Sequence, residues 1–370
     1  MFDLNNTDGI TSRLPTPALV IDGSTVRRNV QRLADYAASK GIAIRPHTKT
    51  HKLRKLAKLQ LEAGAIGLTV AKVSEAEVIT DRQQDVFLAY PPIGEQRAER
   101  LAALGRDRTM RAAVDSLEAI EATSAAAYVV GTTIGLLVDL DVGLGRTGVE
   151  SPGATLPLAQ AIDRLPNVRL DGIMIYPGHV WSPVDQQGAE LTVVDDLVAE
   201  TLQLWARHGL AAVIVSGGST PTAYQSHFMP HVTEIRPGTY VFNDMNTVRP
   251  GFCSLDDCAA RVVATVISDA VAGQVVVDAG SKALARDASS APDAGFGYVT
   301  EYPDARITQL SEEHGQVDVA ACRKRPKVGE RVTIIPNHIC PCVNLQAALW
   351  WMEPGEPLQQ MVVDARGKVQ

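Results

Sequence analysis

The chain has 370 residues, of which 45% are hydrophobic, 21% charged and 5% aromatic, and its formal net charge is −7 at pH 7. This acidic balance predicts neither a nucleic-acid partner nor binding to an anionic membrane. No apolar run approaches the roughly 20 residues that a membrane-spanning helix needs. The first residues, "MFDLNNTDGITSRLP", contain no apolar signal core, so we expect a cytoplasmic protein.

In chain order, an opening "TPALVI" and an amphipathic "STVRRNVQRLADYAASK" precede eight short apolar runs. These runs are "IAIRPH", "GLTVA", "DVFLAY", "MRAAV", "IGLLVDL", "LDGIMIY", "AAVIVSGG" and "TEIRPG". Segments of helical periodicity, such as "HKLRKLAKLQLEAG", separate most of them. Eight such units predict an α/β fold whose parallel strands close into a (β/α)8 TIM barrel, over residues 1–245. The alternative is an open, doubly wound sheet.

From about Arg249 onward, strand-like runs follow one another without helices between them. Examples are "ARVVATVISDAV", "GQVVVDAG", "ERVTIIPN" and "LQQMVVDA". This pattern predicts an antiparallel β domain over residues 246–370. All five cysteines fall in this last part of the chain, at positions 253, 258, 322, 340 and 342. Because their number is odd and the expected compartment is reducing, we predict a ligand or a nucleophile rather than a disulfide framework.

The stretch "RPHTKTHK" places five basic side chains, counting both histidines, directly after the first barrel strand. Three interpretations are open: a nucleic-acid patch, a solvated turn, or a catalytic amine with supporting neighbours. Active sites of TIM barrels lie at the carboxyl ends of the strands. Lys49 stands at such an end, whereas Lys52 and Lys55 fall at the start of the next helix, where we expect them to be solvated.

Other polar residues follow later barrel strands. Arg146 follows the fifth strand, and Tyr176 and His179 follow the sixth. The seventh and eighth strands end in the glycine- and hydroxyl-rich turns "SGGST", residues 216–220, and "RPGTY", residues 236–240. Such turns can present several backbone N–H groups to a phosphate. A phosphate opposite a lysine at the barrel mouth fits pyridoxal 5′-phosphate, whose aldehyde needs an amine for a Schiff base.

Several motifs together resemble the D-threonine aldolase and D-serine dehydratase family of fold-type III pyridoxal-phosphate enzymes. They are "TPALVID", "RPHTKTHK", "AKVSEAEV", "DLDVGLGRTGV", "SGGSTPT", "RPGTYVFND" and "PNHICP". The resemblance implies an alanine-racemase-like barrel with a C-terminal β domain, which the first strand, about residues 16–21, joins. It implies Lys49 as the Schiff-base lysine, Arg146 beside the phenolic oxygen of the cofactor and Tyr176 near its pyridine nitrogen. The implied phosphate residues are Gly217, Gly218, Ser219, Thr220, Gly238, Thr239 and Tyr240.

The segment "IPNHICPCVNL" contains His338 and Cys340 two residues apart. In an extended segment such residues point to the same side, so an imidazole and a thiolate could share a metal ion. Spacing alone supplies only two ligands, and the resemblance implies that they hold a catalytic divalent metal completed by water and substrate. A thiolate favours zinc over magnesium or manganese. Cys342 is interpreted as a core cysteine.

The resemblance implies a small-molecule D-3-hydroxy amino acid substrate and two alternative reactions. Elimination of water gives a 2-oxo acid and ammonia, with the Lys49 amine as base. Retro-aldol cleavage gives glycine and an aldehyde, with His179 or His47 as base, although His179 could instead cap its loop. His-x-Cys resembles the dehydratases, whereas the familiar aldolases carry His-x-Asp, so we favour dehydration.

Two further classes of pyridoxal-phosphate protein remain as alternatives. A racemase with the same cofactor would leave His338 and Cys340 without a role, and a non-catalytic pyridoxal-phosphate carrier would lack the β domain. The resemblance also implies a homodimer. "SEEHGQ", residues 311–316, is either a polar hairpin turn or a segment that approaches an active site.

Overall fold

The computed structural model describes residues 14–287, 289, 291 and 294–370, which form two compact units. One unit contains residues 31–49, 53–238 and 368–370. The other contains the described residues up to Val30, together with 50–52 and 239–367. Within the described residues, no helix is long and apolar enough to cross a membrane.

The strands are β1 Ala18–Asp22, β2 Ala43–Ile44, β3 Leu68–Val70, β4 Asp85–Leu88, β5 Thr109–Val114, β6 Ile134–Leu140, β7 Val168–Ile175, β8 Ile214–Gly217, β9 Glu234–Ile235, β10 Ala260–Ser268, β11 Gln274–Val277, β12 Tyr298–Val299, β13 Arg306–Leu310, β14 Gly315–Asp318, β15 Arg331–Ile335, β16 Ala348–Met352 and β17 Gln359–Val362. The α-helices are α1 Gly23–Lys40, α2 Arg54–Glu62, α3 Val73–Ile79, α4 Glu95–Leu104, α5 Leu117–Val130, α6 Pro152–Arg164, α7 Gln187–Arg207, α8 Met245–Val248, α9 Ser281–Leu284 and α10 Ile339–Leu345.

The first unit contains an eight-stranded parallel sheet in the order β2-β9-β8-β7-β6-β5-β4-β3. Its two end strands also meet, because His47 and Thr69 form a parallel bridge and Ile66 N donates to Ile44 O at 2.9 Å. The sheet therefore closes into a barrel, which confirms the (β/α)8 prediction and excludes the open sheet. Strand β6 is buried at all seven positions, as expected for a parallel strand covered on both faces.

Local sequence explains where several barrel helices begin. Ser116 precedes α5 and its hydroxyl accepts a hydrogen bond from Ala119 N, while Ser151 does the same for Ala154 N in α6. Such N-caps satisfy backbone donors that the helix itself cannot use. Pro152 follows Ser151 as the first residue of α6, a position where proline costs no hydrogen bond. These signals determine where α5 begins after β5 and where α6 begins after β6.

The basic side chains that follow β2 lie in different environments. Arg45 is buried, and its guanidinium bonds Glu234 at 2.9 Å and Asp85 at 2.6 Å. Its charge is therefore neutralised inside the barrel, so the interpretation of this stretch as a solvated turn is wrong for Arg45. Lys52 is also buried and donates to Ala365 O at 3.3 Å within the second unit, so the expectation of a solvated side chain is wrong there too.

The second unit is built on a mostly antiparallel sheet with the main order β13-β14-β11-β10-β1-β16-β17. Strand β1 pairs antiparallel with β10 and parallel with β16, so the opening strand belongs to this sheet. Strand β15 pairs with β10 and β12 on a branch. The expectation of strands without intervening helices is wrong, because α9 and α10 interrupt the sequence of strands.

Residues 311–314 form the tight connection between β13 and β14, closed by Ser311 N donating to His314 O at 2.9 Å, and Gly315 and Gln316 begin β14. Of the two alternatives for this segment, the structure shows the polar hairpin turn. The carboxylates of Glu312 and Glu313 both form ion pairs with Lys282, at 2.9 and 2.8 Å.

Candidate active site

Lys49 lies in the turn after β2, at the carboxyl end of the barrel strands, and its side chain is half-buried. The neighbouring His47 is buried and holds this turn from two sides. His47 N donates to Pro237 O at 3.0 Å, and His47 Nδ1 accepts from Lys49 N at 3.4 Å. These two contacts hold His47 beside the backbone of the Lys49 turn, so one role of His47 is to position that turn.

Arg146 lies on the loop after β6, and the carboxylate of Asp141 organises that loop. Asp141 Oδ1 accepts from the backbone N–H groups of Gly143, Leu144 and Gly145 at 3.0 to 3.1 Å. This side-chain acceptor satisfies donors that the turn leaves unpaired. The Arg146 guanidinium carbon lies 4.7 Å from the centre of the Tyr176 ring. The structure therefore brings together these two predicted cofactor residues.

His179 follows Tyr176 on the loop after β7, and its imidazole is exposed. It packs against Gly143, where an added Cβ would lie 3.0 Å from the ring carbon Cε1 and where φ is +124°. Among the residues that the structure describes, His179 has no hydrogen-bond partner, so it does not cap its loop. The imidazole is available for proton transfer.

The predicted phosphate turn after β8 is shaped by backbone geometry. Gly218 has φ of +79°, and a Cβ there would lie 2.9 Å from the Cβ of Ile235, so only glycine fits without strain. Within the described chain, the backbone N–H groups of Gly218 and Ser219 donate to no protein acceptor. Adjacent free N–H groups in such a turn form an anion-binding concavity. These observations fit a phosphate.

The other residues of the two predicted phosphate turns belong partly to the barrel unit and partly to the second unit. Gly217 ends β8, and Gly238 N donates to Thr220 Oγ1 at 3.3 Å, which joins the two turns within the barrel unit. Thr239 and Tyr240 belong to the second unit. There, Tyr240 is buried, and Thr239 Oγ1 lies 3.6 Å from Cys340 Sγ.

Two charged residues beneath the strand ends are buried, and the sequence analysis assigned neither of them a role. Arg236 donates to Ser216 Oγ at 2.7 Å and to Ile175 O at 2.8 Å, tying together the ends of β7, β8 and β9, and burial lowers its pKa to about 10. Asp139 accepts from Thr147 Oγ1 at 2.9 Å beneath the loop of Arg146, and burial raises the pKa of its carboxyl to about 6. Both residues lie in segments that the sequence analysis singled out, but their burial depends on neighbouring strands and could not be predicted from those segments alone.

His338 and Cys340 do not lie in an extended segment, which corrects the expected geometry. His338 has extended backbone angles and caps the start of α10, in which Cys340 is the second residue. The buried carboxylate of Asp244 accepts from Ile339 N at 3.0 Å and so allows a helix to begin there. Even in this geometry each of the two side chains shifts the pKa of the other.

The electrostatics of this pair favour a thiolate. Burial by itself raises the pKa of Cys340, but the hydrogen bond and charge of His338 and a bond from Thr50 lower it below its ordinary value. Burial by itself lowers the pKa of His338, whereas Cys340 and Asp287 raise it to about 9. The thiolate is the form of cysteine that binds metals.

Two further groups support the pair and were not predicted. Asp287 Oδ2 lies 2.5 Å from His338 Nδ1, and Thr50 Oγ1 lies 3.2 Å from Cys340 Sγ. A carboxylate on one ring nitrogen leaves the other nitrogen for a metal, which is the usual outer arrangement of a metal-binding histidine. In the described part of the chain, no cluster of three or more His, Cys, Asp or Glu side chains could hold an ion. An imidazole and a thiol are donors that suit zinc better than magnesium or manganese.

Comparisons with known proteins agree with this architecture. Residues 21–246 match the family model for the alanine racemase N-terminal domain, and residues 259–351 match that for a putative serine dehydratase domain. D-threonine aldolase from Arthrobacter sp. is 30% identical over 362 residues, covering 96% of this chain and 94% of that protein. The crystal structure of D-threonine aldolase from Filomicrobium marinum has a TM-score of 0.87 and 31% identity, covering 97% of this chain and 98% of that one.

A third relative is D-threo-3-hydroxyaspartate dehydratase from Delftia sp., 31% identical over 351 residues that cover 88% of this chain and 91% of that protein. Its structure has a TM-score of 0.87 and covers 95% of this chain and 98% of that one. A histidine-to-alanine and a cysteine-to-alanine variant of that enzyme have also been solved, the latter in a metal-free form. The two replaced residues are two positions apart in the sequence of that enzyme.

The fold and the matching domains define a pyridoxal-phosphate enzyme with an alanine-racemase-like barrel. Within that class, the chain belongs to the D-threonine aldolase and D-serine dehydratase family of lyases.

Proposed function

We propose that the protein is a pyridoxal-phosphate- and divalent-metal-dependent lyase that removes water from D-3-hydroxy amino acids, giving a 2-oxo acid and ammonia. The observation that carries this choice is the His338–Cys340 pair at the start of α10, where Asp287 contacts His338 and Thr50 contacts Cys340. It has the same histidine-x-cysteine spacing as the pair replaced in the Delftia dehydratase variants. Zinc is the proposed metal because a thiolate is a soft ligand.

The barrel residues are proposed to hold the cofactor. Lys49 supplies the amine, and Arg146 and Tyr176 supply a cation and a phenol that already pack against each other. The turns that contain Gly217, Gly218, Ser219, Thr220 and Gly238, with Thr239 and Tyr240 following, are proposed to bind the phosphate. Their support is the pair of free N–H groups at Gly218 and Ser219. Pyridoxal phosphate, when bound, supplies an electron sink for charge released at the substrate Cα.

His338 and Cys340 are proposed to hold the metal, with Asp287 fixing the imidazole of His338. A divalent cation, when bound, supplies a Lewis acid that makes the 3-hydroxyl of the substrate a better leaving group. Thr50 and Thr239, which both contact Cys340 Sγ, hold the thiolate side chain in place.

Lys49 is proposed to act as the base that takes the Cα proton, because it lies in the turn at the carboxyl end of the barrel strands. Elimination needs no second base to remove the hydroxyl proton. Retro-aldol cleavage does need one, and the exposed imidazole of His179 is proposed for it, with His47 as the alternative. This free histidine is the specific observation that keeps aldol cleavage as the second candidate.

The test is an assay with D-3-hydroxyaspartate as the substrate. We expect ammonia and a 2-oxo acid in equal amounts, no turnover of the L-enantiomers, and loss of activity with a chelator while the yellow cofactor colour remains. Activity that survives complete metal removal would overturn the proposal. Cys342→Ala provides the control, because Cys342 is fully buried and donates to Ala283 O at 3.0 Å, away from the proposed ligands.

We also propose a cytoplasmic homodimer. All five cysteines are free thiols, which is typical of a reducing compartment. The dimer is inferred from the family resemblance alone. Sedimentation equilibrium tests it, and a monomer across the working concentration range would contradict it.

A further inference from the structure

Asn337 directly precedes the proposed ligand His338, and the proposed reaction gives it no task. The residue is only 2% exposed, and its side-chain amide is fully bonded. Asn337 Nδ2 donates to Asp287 O at 3.1 Å and to Gly295 O at 2.8 Å. Asn337 Oδ1 accepts from Arg249 Nη1 at 2.7 Å. A buried amide that uses both of its N–H donors and its oxygen is held in one orientation.

Arg249 follows the last residue of α8 and holds the other side of this amide. Its Nη1 also donates to Ser289 Oγ at 2.6 Å, and its Nη2 donates to Ala294 O at 3.1 Å. The backbone adds a further bond, because Asn246 N donates to Asn337 O at 3.1 Å. A guanidinium presents its donors in fixed directions, so Arg249 ties Asn337 to Ser289 and Ala294 in one arrangement.

The contact between His338 and Asp287 needs such support, because it is not buried. The side chain of His338 is 38% exposed and that of Asp287 is 47% exposed. A pair at this exposure is a weak restraint by itself, since solvent competes for both partners. Asn337 joins the two partners, because it is the backbone neighbour of His338 and its amide holds the carbonyl oxygen of Asp287.

We propose that Asn337 and Arg249 are positioning residues, which hold Asp287 against His338 and thereby raise the affinity of the site for its divalent metal. This inference rests on the proposed function, which assigns His338 as a ligand. A carboxylate fixed on one ring nitrogen keeps the imidazole oriented and makes the other nitrogen a stronger donor. The effect passes through the backbone of Asp287, so neither residue needs to contact the metal.

The first experiment measures zinc affinity by competition with a chromophoric chelator. Asn337→Ala should lower the affinity about 10-fold, as expected for a partner outside the ligands, and Arg249→Met should lower it by less. Asn344→Ala is the matched control in α10, because Asn344 accepts from Gly367 N at 3.0 Å, and it should bind zinc as the unmodified protein does. Equal affinities for Asn337→Ala and the unmodified protein would overturn the positioning role. An unmodified protein that binds no divalent metal would overturn the proposed function and this inference together.

A double-mutant cycle shows whether Asn337 acts through Asp287. If it does, Asp287→Ala combined with Asn337→Ala should bind zinc within about two-fold of Asp287→Ala alone, because the second change has nothing left to position. General damage to the start of α10 would instead lower the affinity in either background. A further fall of about 10-fold in the double variant would therefore contradict the proposal, since independent effects multiply.

Hydrogen exchange of the metal-free protein provides a readout that does not depend on zinc. The peptide that contains Asp287 and Gly295 should exchange about five-fold faster in Asn337→Ala, as expected for one lost hydrogen bond, and at the unmodified rate in Asn344→Ala. If Asn337→Ala does not fold, Arg249→Met serves for the same measurements, because it leaves Asn337 in the chain. An unchanged exchange rate would overturn the proposal whether or not the protein binds a metal, which separates its failure from that of the proposed function.

Discussion

The Nδ1 atom of His338 lies 2.5 Å from the Asp287 carboxylate, so this contact occupies one of the two nitrogens of the ring. With Nδ1 occupied by Asp287, only Nε2 remains as a ligand. The carboxylate also raises the pKa of the imidazole, together with Cys340. Asp287 therefore fixes both the orientation and the basicity of the proposed ligand.

Replacing Asp287 with alanine is expected to lower zinc affinity by about 10- to 100-fold. Asp287→Asn keeps an acceptor oxygen but loses the charge, so its affinity should fall between that of Asp287→Ala and the unmodified protein. Chelator competition measures both values directly. Asp269→Ala, at an exposed position of the same unit, is the control. Equal affinities for all of these proteins would show that Asp287 has no role in metal binding.

The two cysteines of α10 should respond differently to substitution. Cys340→Ala removes the thiolate next to His338 and should abolish tight metal binding. Cys342 is fully buried, and burial raises the pKa of its thiol to about 12, so it remains a neutral core side chain. Cys342→Ala should leave metal affinity unchanged and reduce the free energy of unfolding by about 1 kcal/mol. Equal, small effects of both substitutions on metal binding would contradict the ligand assignment.

Lys49 is predicted to carry the cofactor. Borohydride reduction of the yellow protein should attach the cofactor to the peptide that contains Lys49, as read by mass spectrometry. Lys49→Ala should lose turnover yet retain some affinity for the cofactor, because the phosphate turns do not depend on this amine. Lys55→Ala, on the following helix, should behave as the unmodified protein does. Label on Lys72 or Lys282 would refute the assignment.

Asp139 makes a specific prediction about pH and stability. Burial raises its pKa from 3.8 to about 6, so the folded state binds the proton more tightly than the unfolded chain. The stability that Asp139 contributes is therefore complete below about pH 4 and is lost as the pH rises to about 6. Asp139→Asn should not show this loss. The difference in unfolding free energy between Asp139→Asn and the unmodified protein should therefore change by about 2 to 3 kcal/mol between about pH 4 and about pH 6.

Urea denaturation at pH 4, 5, 6 and 7 measures this difference. Exposed Asp163→Asn serves as the matched control and should follow the unmodified protein at every pH. A difference between Asp139→Asn and the unmodified protein that does not change with pH would show that Asp139 titrates normally.

The eight barrel strands were predictable because each buried strand has a continuous apolar run, such as "IGLLVDL" for β6. The strand runs of the β domain were predictable from their alternation and turns. The start of α10 was not, because it depends on Asp244, which is remote in sequence and accepts a hydrogen bond from Ile339 N. A capping group supplied by tertiary contact leaves no local pattern.

The charged residues of the site also differ in how far the sequence predicts their environment. The position of Lys49 at a strand end could be read from the sequence, but the burial of Arg45 could not, since its partners Glu234 and Asp85 come from other strands. Asp287 and Thr50 were missed for the same reason. Each becomes recognisable only when the fold brings it to His338 or Cys340.

The central claim is tested most directly by the products formed from D-serine, because dehydration and aldol cleavage of this substrate give different compounds. The zinc- and pyridoxal-phosphate-loaded protein should form pyruvate and ammonia in equal amounts, with no glycine. Glycine and formaldehyde as the main products would contradict dehydration and assign the retro-aldol reaction instead.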